Sequence, residues 1–254
     1  MKKFFVAIWT VLSLASCKEE MDFDYHTVAP IDVIEAYLTQ DGLDIQVTQT
    51  TDMECTTLPQ QVDALVTLTD QDGQAIDPDS TAVPGQTYTL QVQVGDRTYS
   101  STAQMCRPAT IESATLTWDD GKTDRLFCTL QIQDVQGEEN HYCFRMFRNG
   151  EVYKWGVFTD KGYEDGIIER NISCMSRDTY EDNKPEDQHK ILHDGDQLRV
   201  EVLTIDQHSY DYLYSLSLSK RQSYNPICNF EGGCLGYFIA GGAVSVELVF
   251  HDNE

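Results

Sequence analysis

The sequence predicts a mainly β protein with two β-sandwich-like domains of the immunoglobulin or transthyretin kind and one short helix in the second domain. Two observations indicate this class. Residue types that favour strands are abundant, among them 13 tyrosines in 254 residues. Apolar and polar residues also alternate over many short segments, and Gly/Asp turn signals separate these segments about every ten residues.

The first domain is predicted over residues 31–107. Residues 31–39 and 43–50 alternate on either side of an Asp-Gly pair, which is typical of a hairpin. Further strands of this domain are expected at residues 62–69, 85–94 and 97–105. The domain is expected to end before Pro108, because proline cannot donate a hydrogen bond to a paired strand.

The second domain is predicted over residues 108–254. Its strands are expected at residues 111–118, 126–133, 142–148, 151–158, 198–205 and 243–250. Residues 178–189 are almost all polar and are expected to form a solvated loop. Residues 209–224 contain neither glycine nor proline and end close to Lys220 and Arg221, so a helix is expected there.

The chain begins with the pattern of a bacterial lipoprotein signal. Lys2 and Lys3 precede an apolar run over residues 4–15, which is shorter than the about 20 residues that a spanning helix needs. Small residues then lead directly to Cys17. We therefore predict a signal peptide over residues 1–16 and attachment of fatty acyl chains at Cys17, which would anchor the protein to a membrane. An ordinary secretory signal with an incidental cysteine is the alternative.

An acidic tether is predicted over residues 17–30. Its carboxylates resemble the export tag that sends Bacteroidota lipoproteins to the outer face of the outer membrane. These residues are Glu19, Glu20, Asp22 and Asp24. A solvated, disordered segment is the alternative explanation of the same composition, and both can hold together.

The charge of the chain excludes one class of partner. Its formal net charge is −24, and loss of the two leader lysines would make the mature protein still more negative. A polyanion gains no counterion release by binding nucleic acid, so nucleic acid is not expected as a partner. The same charge argues against electrostatic adhesion to anionic lipid, which leaves the acyl chains as the predicted membrane contact.

Eight cysteines are present, so lipidation would leave an odd number. The candidate disulfides are Cys55 with Cys106 and Cys228 with Cys234. Cys128 and Cys143 could lie on neighbouring strands, which would leave Cys174 over. Buried thiols are the alternative for several of these cysteines.

No catalytic motif is found, and we predict no catalytic residues, no metal and no cofactor. His189 and His193 are four residues apart, but the surrounding residues favour a loop over a metal-binding helix. Aspartates beside Gly73 and Gly121 fit turn chemistry better than a calcium loop. A group of aromatic residues could line a carbohydrate or partner surface, although core packing is favoured for most of them. They are Tyr210, Tyr212, Tyr214, Tyr224, Tyr237 and Phe238.

Short segments distributed over nearly the whole mature chain carry a family resemblance. They are residues 34–39 (IEAYLT), 64–70 (ALVTLTD) with Gly73, Gly85 with Tyr88 and Leu90, 209–213 (SYDYL), 225–226 (NP), Asn229, Gly232 with Gly233, and 235–238 (LGYF). Together they resemble the Bacteroidota lipoproteins of domain-of-unknown-function family 4249. Cys228 and Cys234 depart from that pattern. The glycines at 232, 233 and 236 indicate a tight backbone feature rather than a phosphate-binding loop.

The resemblance implies a surface lipoprotein whose relatives are often encoded near TonB-dependent transporters, and it implies no catalytic residue set. The leading hypothesis is therefore a non-enzymatic binding or accessory component of such a transport system, with a TonB-dependent transporter as partner. The small-molecule or glycan ligand is not specified by the sequence. A structural or adhesive surface protein is the first alternative, and a periplasmic or surface hydrolase is the second.

Overall fold

The computed structural model describes residues 29–51, 59–137, 139–163, 166–219 and 226–252. The predicted signal peptide, Cys17 and Cys55 lie outside these residues, as does the tether before Ala29. From Pro30 onward the described residues belong to one compact unit. Its strands form four β-sheets, which confirms the predicted mainly β, sandwich-like class. None of the helices in the described ranges is long and apolar enough to cross a bilayer.

Two sheets are built mostly from the first half of the chain. One has the strand order β13-β1-β2 and the other β4-β3-β5-β6. Their strands are β1 (Asp32–Thr39), β2 (Gly42–Gln49), β3 (Leu65–Thr69), β4 (Ala75–Ile76), β5 (Thr87–Val94), β6 (Arg97–Gln104) and β13 (Leu235–Ala240). The β1–β2 and β5–β6 hairpins confirm the prediction, and side chains from both sheets share one core, which includes Ile34, Leu90 and Phe238.

The other two sheets are built from the second half. Their strand orders are β11-β8-β7 and β10-β9-β12-β14. The strands are β7 (Thr110–Trp118), β8 (Arg125–Gln133), β9 (His141–Arg148), β10 (Glu151–Thr159), β11 (Ile167–Ser176), β12 (Gln197–Ile205) and β14 (Gly242–Val249). These sheets enclose a second core, in which Leu130, Val200 and Phe250 are completely buried.

This second sandwich has one closed side and one open side. At the closed side, β7 and β14 approach each other closely. At the other side, β10 and β11 are the terminal strands of their sheets, so among the described residues each is paired with a strand on one edge only. Half of the backbone groups of such an edge strand point away from its sheet and can bind another chain.

The region expected to be a loop at residues 178–189 contains regular structure instead. A short helix, α1 (Arg177–Asp182), is followed by a 3-10 helix (Pro185–Lys190). The prediction was wrong because local capping outweighs the polar composition: the Ser176 hydroxyl accepts a hydrogen bond from the Thr179 N–H at 3.2 Å. Asn183, with φ 44°, then ends α1 in the left-handed region.

The predicted helix in the second half is present as α2 (Gln207–Ser219). It begins two residues earlier than expected. The Asp206 carboxylate accepts a hydrogen bond from the Ser209 N–H at 2.8 Å and so caps the first turn. Tyr212 and Leu213 on α2 are buried against β13 and β9, which fixes the helix on the outer face of the β10-β9-β12-β14 sheet.

Strand β13 was not predicted, and it connects the two predicted domains. It lies in the predicted second domain but pairs in parallel with β1 of the predicted first domain, with Val33 opposite Leu235. Gly236 makes this pairing close: its φ is +109°, and a Cβ at that position would lie 1.9 Å from the Ile34 carbonyl oxygen. The expected tight backbone feature at the glycine cluster is therefore present at Gly236.

The expectation that Cys128 and Cys143 lie on neighbouring strands is wrong. Cys128 is on β8 and Cys143 is on β9, and these strands belong to different sheets. Both are buried thiols, and burial raises the pKa of each to about 12. Alternation along the strands placed both side chains inside the protein, but the sequence pattern does not reveal which sheet a strand joins.

Candidate binding groove

A groove with a volume of about 620 Å³ runs along the open side of the second sandwich. Its size is within the range of ligand-binding pockets, about 300–1,000 Å³. The lining residues come from β9, β10, β11 and α2. They are Phe144, Tyr153, Lys154, Trp155, Gly156, Val157, Arg170, Asn171, Ile172, Ser173, Tyr214 and Ser217.

The groove faces strand edges rather than strand faces. Five consecutive residues of β10, from Tyr153 to Val157, line it, and so do four consecutive residues of β11, from Arg170 to Ser173. Successive side chains of a strand point to opposite sides of its sheet. A surface bordered by every residue in such a run must therefore look onto the edge of the strand, where its unpaired backbone groups lie.

The glycine at position 156 of β10 makes room for an aromatic ring of the neighbouring strand. A Cβ on Gly156 would lie 2.7 Å from Cε1 of Phe144, because the Phe144 ring packs directly against this glycine. On β10 the neighbours of Gly156 are Trp155, which packs toward α2, and Val157. The face of β10 at Gly156 is thus covered by the Phe144 ring, whereas the outer edge of β10 has no paired strand among the described residues.

Both strand walls contribute a cation to the groove. The Lys154 ammonium lies 5.2 Å from the centroid of the Tyr153 ring, and the Arg170 guanidinium lies 5.2 Å from that of Phe158. Neither cation forms a salt bridge with a described residue, and none of the described lining residues is a carboxylate. In a chain with 42 acidic and 18 basic residues, this charge distribution favours an anionic ligand.

The environment of Lys154 strengthens that preference. Burial lowers the pKa of Lys154, because an ammonium that loses water without gaining an anion is destabilised. The nearby Arg125 guanidinium, which hydrogen-bonds to the Ser173 hydroxyl at 3.3 Å, lowers the pKa of Lys154 further. A ligand carboxylate placed between these groups would stabilise the protonated lysine.

Tyr214 forms an aromatic wall on the α2 side of the groove. Its side chain is 49% exposed, and its ring stacks on Tyr210 with centroids 5.8 Å apart and planes 9° apart. Tyr210 in turn contacts His141, with ring centroids 4.9 Å apart. The exposed ring of Tyr214 is therefore held in place without losing its accessible surface.

Of the other aromatic residues singled out in the sequence, three lie in the core and one lies outside the described residues. Tyr212, Tyr237 and Phe238 are buried, so core packing is confirmed for these three. Tyr237 contacts Tyr37 edge-on with ring centroids 5.1 Å apart. Tyr224 lies outside the described residues.

The turn interpretation holds for the aspartates near Gly73. One Asp70 carboxylate oxygen accepts hydrogen bonds from the N–H groups of Asp72 and Gln74, both at 2.9 Å. His189 lies in the 3-10 helix and His193 follows it, with its Nε2 atom 3.1 Å from the Gln188 side-chain oxygen. Across the described ranges, no three His, Cys, Asp or Glu side chains are grouped to hold a metal ion.

Of the predicted disulfide partners, the structure brings Cys228 and Cys234 together. Both are thiols here, and they share a hydrogen bond in which Cys234 donates to the Cys228 sulfur. That bond lowers the pKa of Cys228 and raises the pKa of Cys234. A disulfide between them stays a prediction.

Cys106 is half-buried at the end of β6, and its pairing with Cys55 also stays a prediction, because Cys55 is not among the described residues.

Cys228 is expected to react with iodoacetamide at neutral pH faster than the other described cysteines. The thiolate is the nucleophile, so a lowered pKa keeps more of the reactive form populated at neutral pH. Mass spectrometry of the reduced protein, alkylated between pH 5 and 9, measures the profile. Replacing Cys234 by alanine removes the hydrogen-bond donor and should move the midpoint upward; an unchanged midpoint would contradict this assignment.

Sequence reasoning missed most of the groove. The strand β10 was predicted, but β11 was not. Local sequence patterns also do not reveal that these two strands line the same groove. One local signal was present: the sequence Tyr-Lys-Trp-Gly-Val at residues 153–157 does not alternate cleanly between apolar and polar types. A strand without alternation can be an edge.

A sequence profile described as Domain of unknown function (DUF4249) matches residues 18–243. The chain belongs to this family. The DUF4249 match includes every described strand before β14 and therefore contains the whole groove. No curated protein matches the chain in a sequence comparison.

Proposed function

We propose that this DUF4249 protein is a lipid-anchored binding protein of the outer-membrane surface that serves as an accessory component of a TonB-dependent transport system. The groove between β10, β11 and α2 is the observation that carries the binding role. It combines a ligand-sized volume, an exposed aromatic ring and two cations that lack carboxylate partners among the described residues.

The surface location is supported by the start of the sequence. The two leader lysines, the short apolar run and Cys17 fit lipidation, and the acidic residues that follow fit export to the cell surface. A lipid anchor and a solvated tether would hold the groove near membrane proteins, and confinement to one surface raises the effective concentration of each partner for the other.

The location is tested by expressing the protein with its signal in a native-type host. The wild-type chain is expected to carry lipid and to be removed from intact cells by added protease. Cys17→Ala should instead be released, whereas Ser16→Ala, which keeps a small residue before the cysteine, should behave like wild type. Protection of the wild-type protein from the protease would place it in the periplasm and contradict surface exposure.

The accessory role is tested by crosslinking on the same cells. Wild-type protein is expected to recover a TonB-dependent transporter from cleaned outer membranes. Arg170→Glu reverses a charge in the groove and should abolish recovery, while Lys161→Glu changes an exposed lysine just beyond β10 and should not. Repeated failure of the wild-type protein to recover any transporter would count against the proposal.

A further inference from the structure

We propose that the groove receives an extended, acidic polypeptide segment of a partner protein, which adds to the free edge of β10 as a further strand. This inference rests on the proposed binding function and specifies the chemistry of its ligand. It follows from the direction in which β10 and β11 face the groove, from the charges on their side chains and from the position of α2.

The shape of the site fits a strand better than a compact ligand. Because five consecutive β10 residues line the groove, its long axis follows the strand for about 16 Å at about 3.3 Å per residue. Backbone N–H and C=O groups on an edge strand bind an extended chain without regard to its sequence, and flanking pockets then select its side chains. Strand β10 is the terminal strand of its sheet, so this edge has no paired strand among the described residues.

The surfaces on either side of the β10 edge would select the side chains of the bound strand. An added strand would place alternate side chains toward β11 and toward α2, the two walls on either side of the β10 edge. Toward β11 they would meet Arg170, and toward α2 they would meet Tyr214. Acidic residues suit the first wall and apolar residues suit the second, so the expected ligand alternates carboxylates with apolar side chains.

The charges also argue against a second copy of this chain as the occupant. Pairing β10 of one molecule with β10 of another would bring two sets of Lys154 and Arg170 together, and like charges on adjacent strands repel. Lysine on an edge strand is a known way to prevent such self-association. An acidic strand from a different protein removes this repulsion.

The proposal is tested with the full chain purified in detergent and a blocked synthetic peptide of about eight residues that alternates glutamate and valine. Eight residues exceed the about 16 Å length of the groove. Two comparison peptides are used: one carries N-methyl groups on alternate backbone nitrogens, and one has lysine in place of glutamate. Binding is measured by titration calorimetry and by amide hydrogen exchange.

The glutamate peptide is expected to bind and to slow amide exchange in residues 151–159 but not in β2, another edge strand. Arg170→Gln and Lys154→Met should each weaken binding at least tenfold, and Lys161→Met should leave it unchanged. N-methylation along the paired edge should weaken binding at least tenfold, because it removes backbone donors. The lysine peptide should not bind measurably.

Several outcomes would overturn the proposal. Equal binding of the N-methylated peptide, or no protection of residues 151–159, would show that no strand is added. Binding of an oligogalacturonate in place of the peptide, with the same dependence on Arg170, would identify an anionic glycan as the ligand. Self-association that protects β10 without peptide would identify a second copy. The strand-addition proposal is tested by peptide binding, and the accessory role is tested by recovery of a transporter from cells. The peptide can fail to bind while a transporter is still recovered, so the two proposals fail separately.

Discussion

Replacing Gly236 by alanine is expected to destabilise the protein by about 3–5 kcal/mol. This loss is as large as that caused by truncating a large core side chain, because core packing around β13 would be lost. The added Cβ would lie 1.9 Å from the carbonyl oxygen and 2.7 Å from the carbonyl carbon of Ile34, and backbone atoms cannot move aside as a side chain can. Strand β13 would have to leave β1, and Phe238, which is completely buried, would lose its packing. Urea unfolding followed by tyrosine fluorescence or circular dichroism measures the loss.

Gly233 provides a matched control three residues earlier. Its φ is +86°, so alanine there carries a similar backbone penalty of about 1–2 kcal/mol, but no atom lies within 4 Å of the added Cβ. Gly233→Ala should therefore lower the free energy of unfolding by only that smaller amount. If the two variants unfold at the same urea concentration, the close approach of β13 to β1 is not what requires glycine at position 236.

Replacing Arg145 by methionine is expected to lower the free energy of unfolding by about 3–5 kcal/mol, because it leaves a buried carboxylate without its main partner. Arg145 on β9 donates to Glu201 on β12 through Nη2 at 2.6 Å and Nε at 2.8 Å. The two side chains are only 16% and 11% exposed. The Arg145 guanidinium also lies 4.2 Å from the centroid of the Tyr37 ring and so joins β9 to β1.

Two further variants separate the buried charge from the lost packing. Arg199 lies 3.7 Å from Glu201 but is 39% exposed, so Arg199→Met should cost no more than about 1 kcal/mol. The double variant Arg145→Met, Glu201→Leu removes both buried charges and should recover most of the stability lost in the single variant. Equal instability of the single and double variants would assign the effect to the Tyr37 contact instead.

The sequence predicted those parts of the fold whose signal is local. The β1–β2 hairpin follows from alternation around Asp41 and Gly42, and β5 with β6 from the same pattern around a Gly-Asp turn. These elements bury one face, and a buried face imposes period-two alternation on the residues that form it. The fold class could be predicted because most strands of the protein are of this kind.

The missed elements have physical reasons for their weak signal. In β11, Arg170 occupies an inward-facing position between Ile168 and Ile172, and it can do so only because the sandwich is open there. In β13, the glycine at position 236 is required by a strand distant in sequence, so the local pattern suggested a loop. The groove depends on the open side of the sandwich and on contacts between segments that are distant in sequence. For this reason Tyr214 was the only lining residue identified in advance.

The pairing of β1 with β13 also sets an order of events during biosynthesis. Val33 is synthesised long before Leu235, its partner in the parallel ladder, so one edge of β1 stays without its partner strand until residue 235 has been made. Contacts between residues so distant in sequence slow folding and leave strand edges open to wrong partners. The newborn chain is therefore expected to depend on a chaperone, and any premature stop before residue 235 should yield an aggregating product rather than a smaller folded protein.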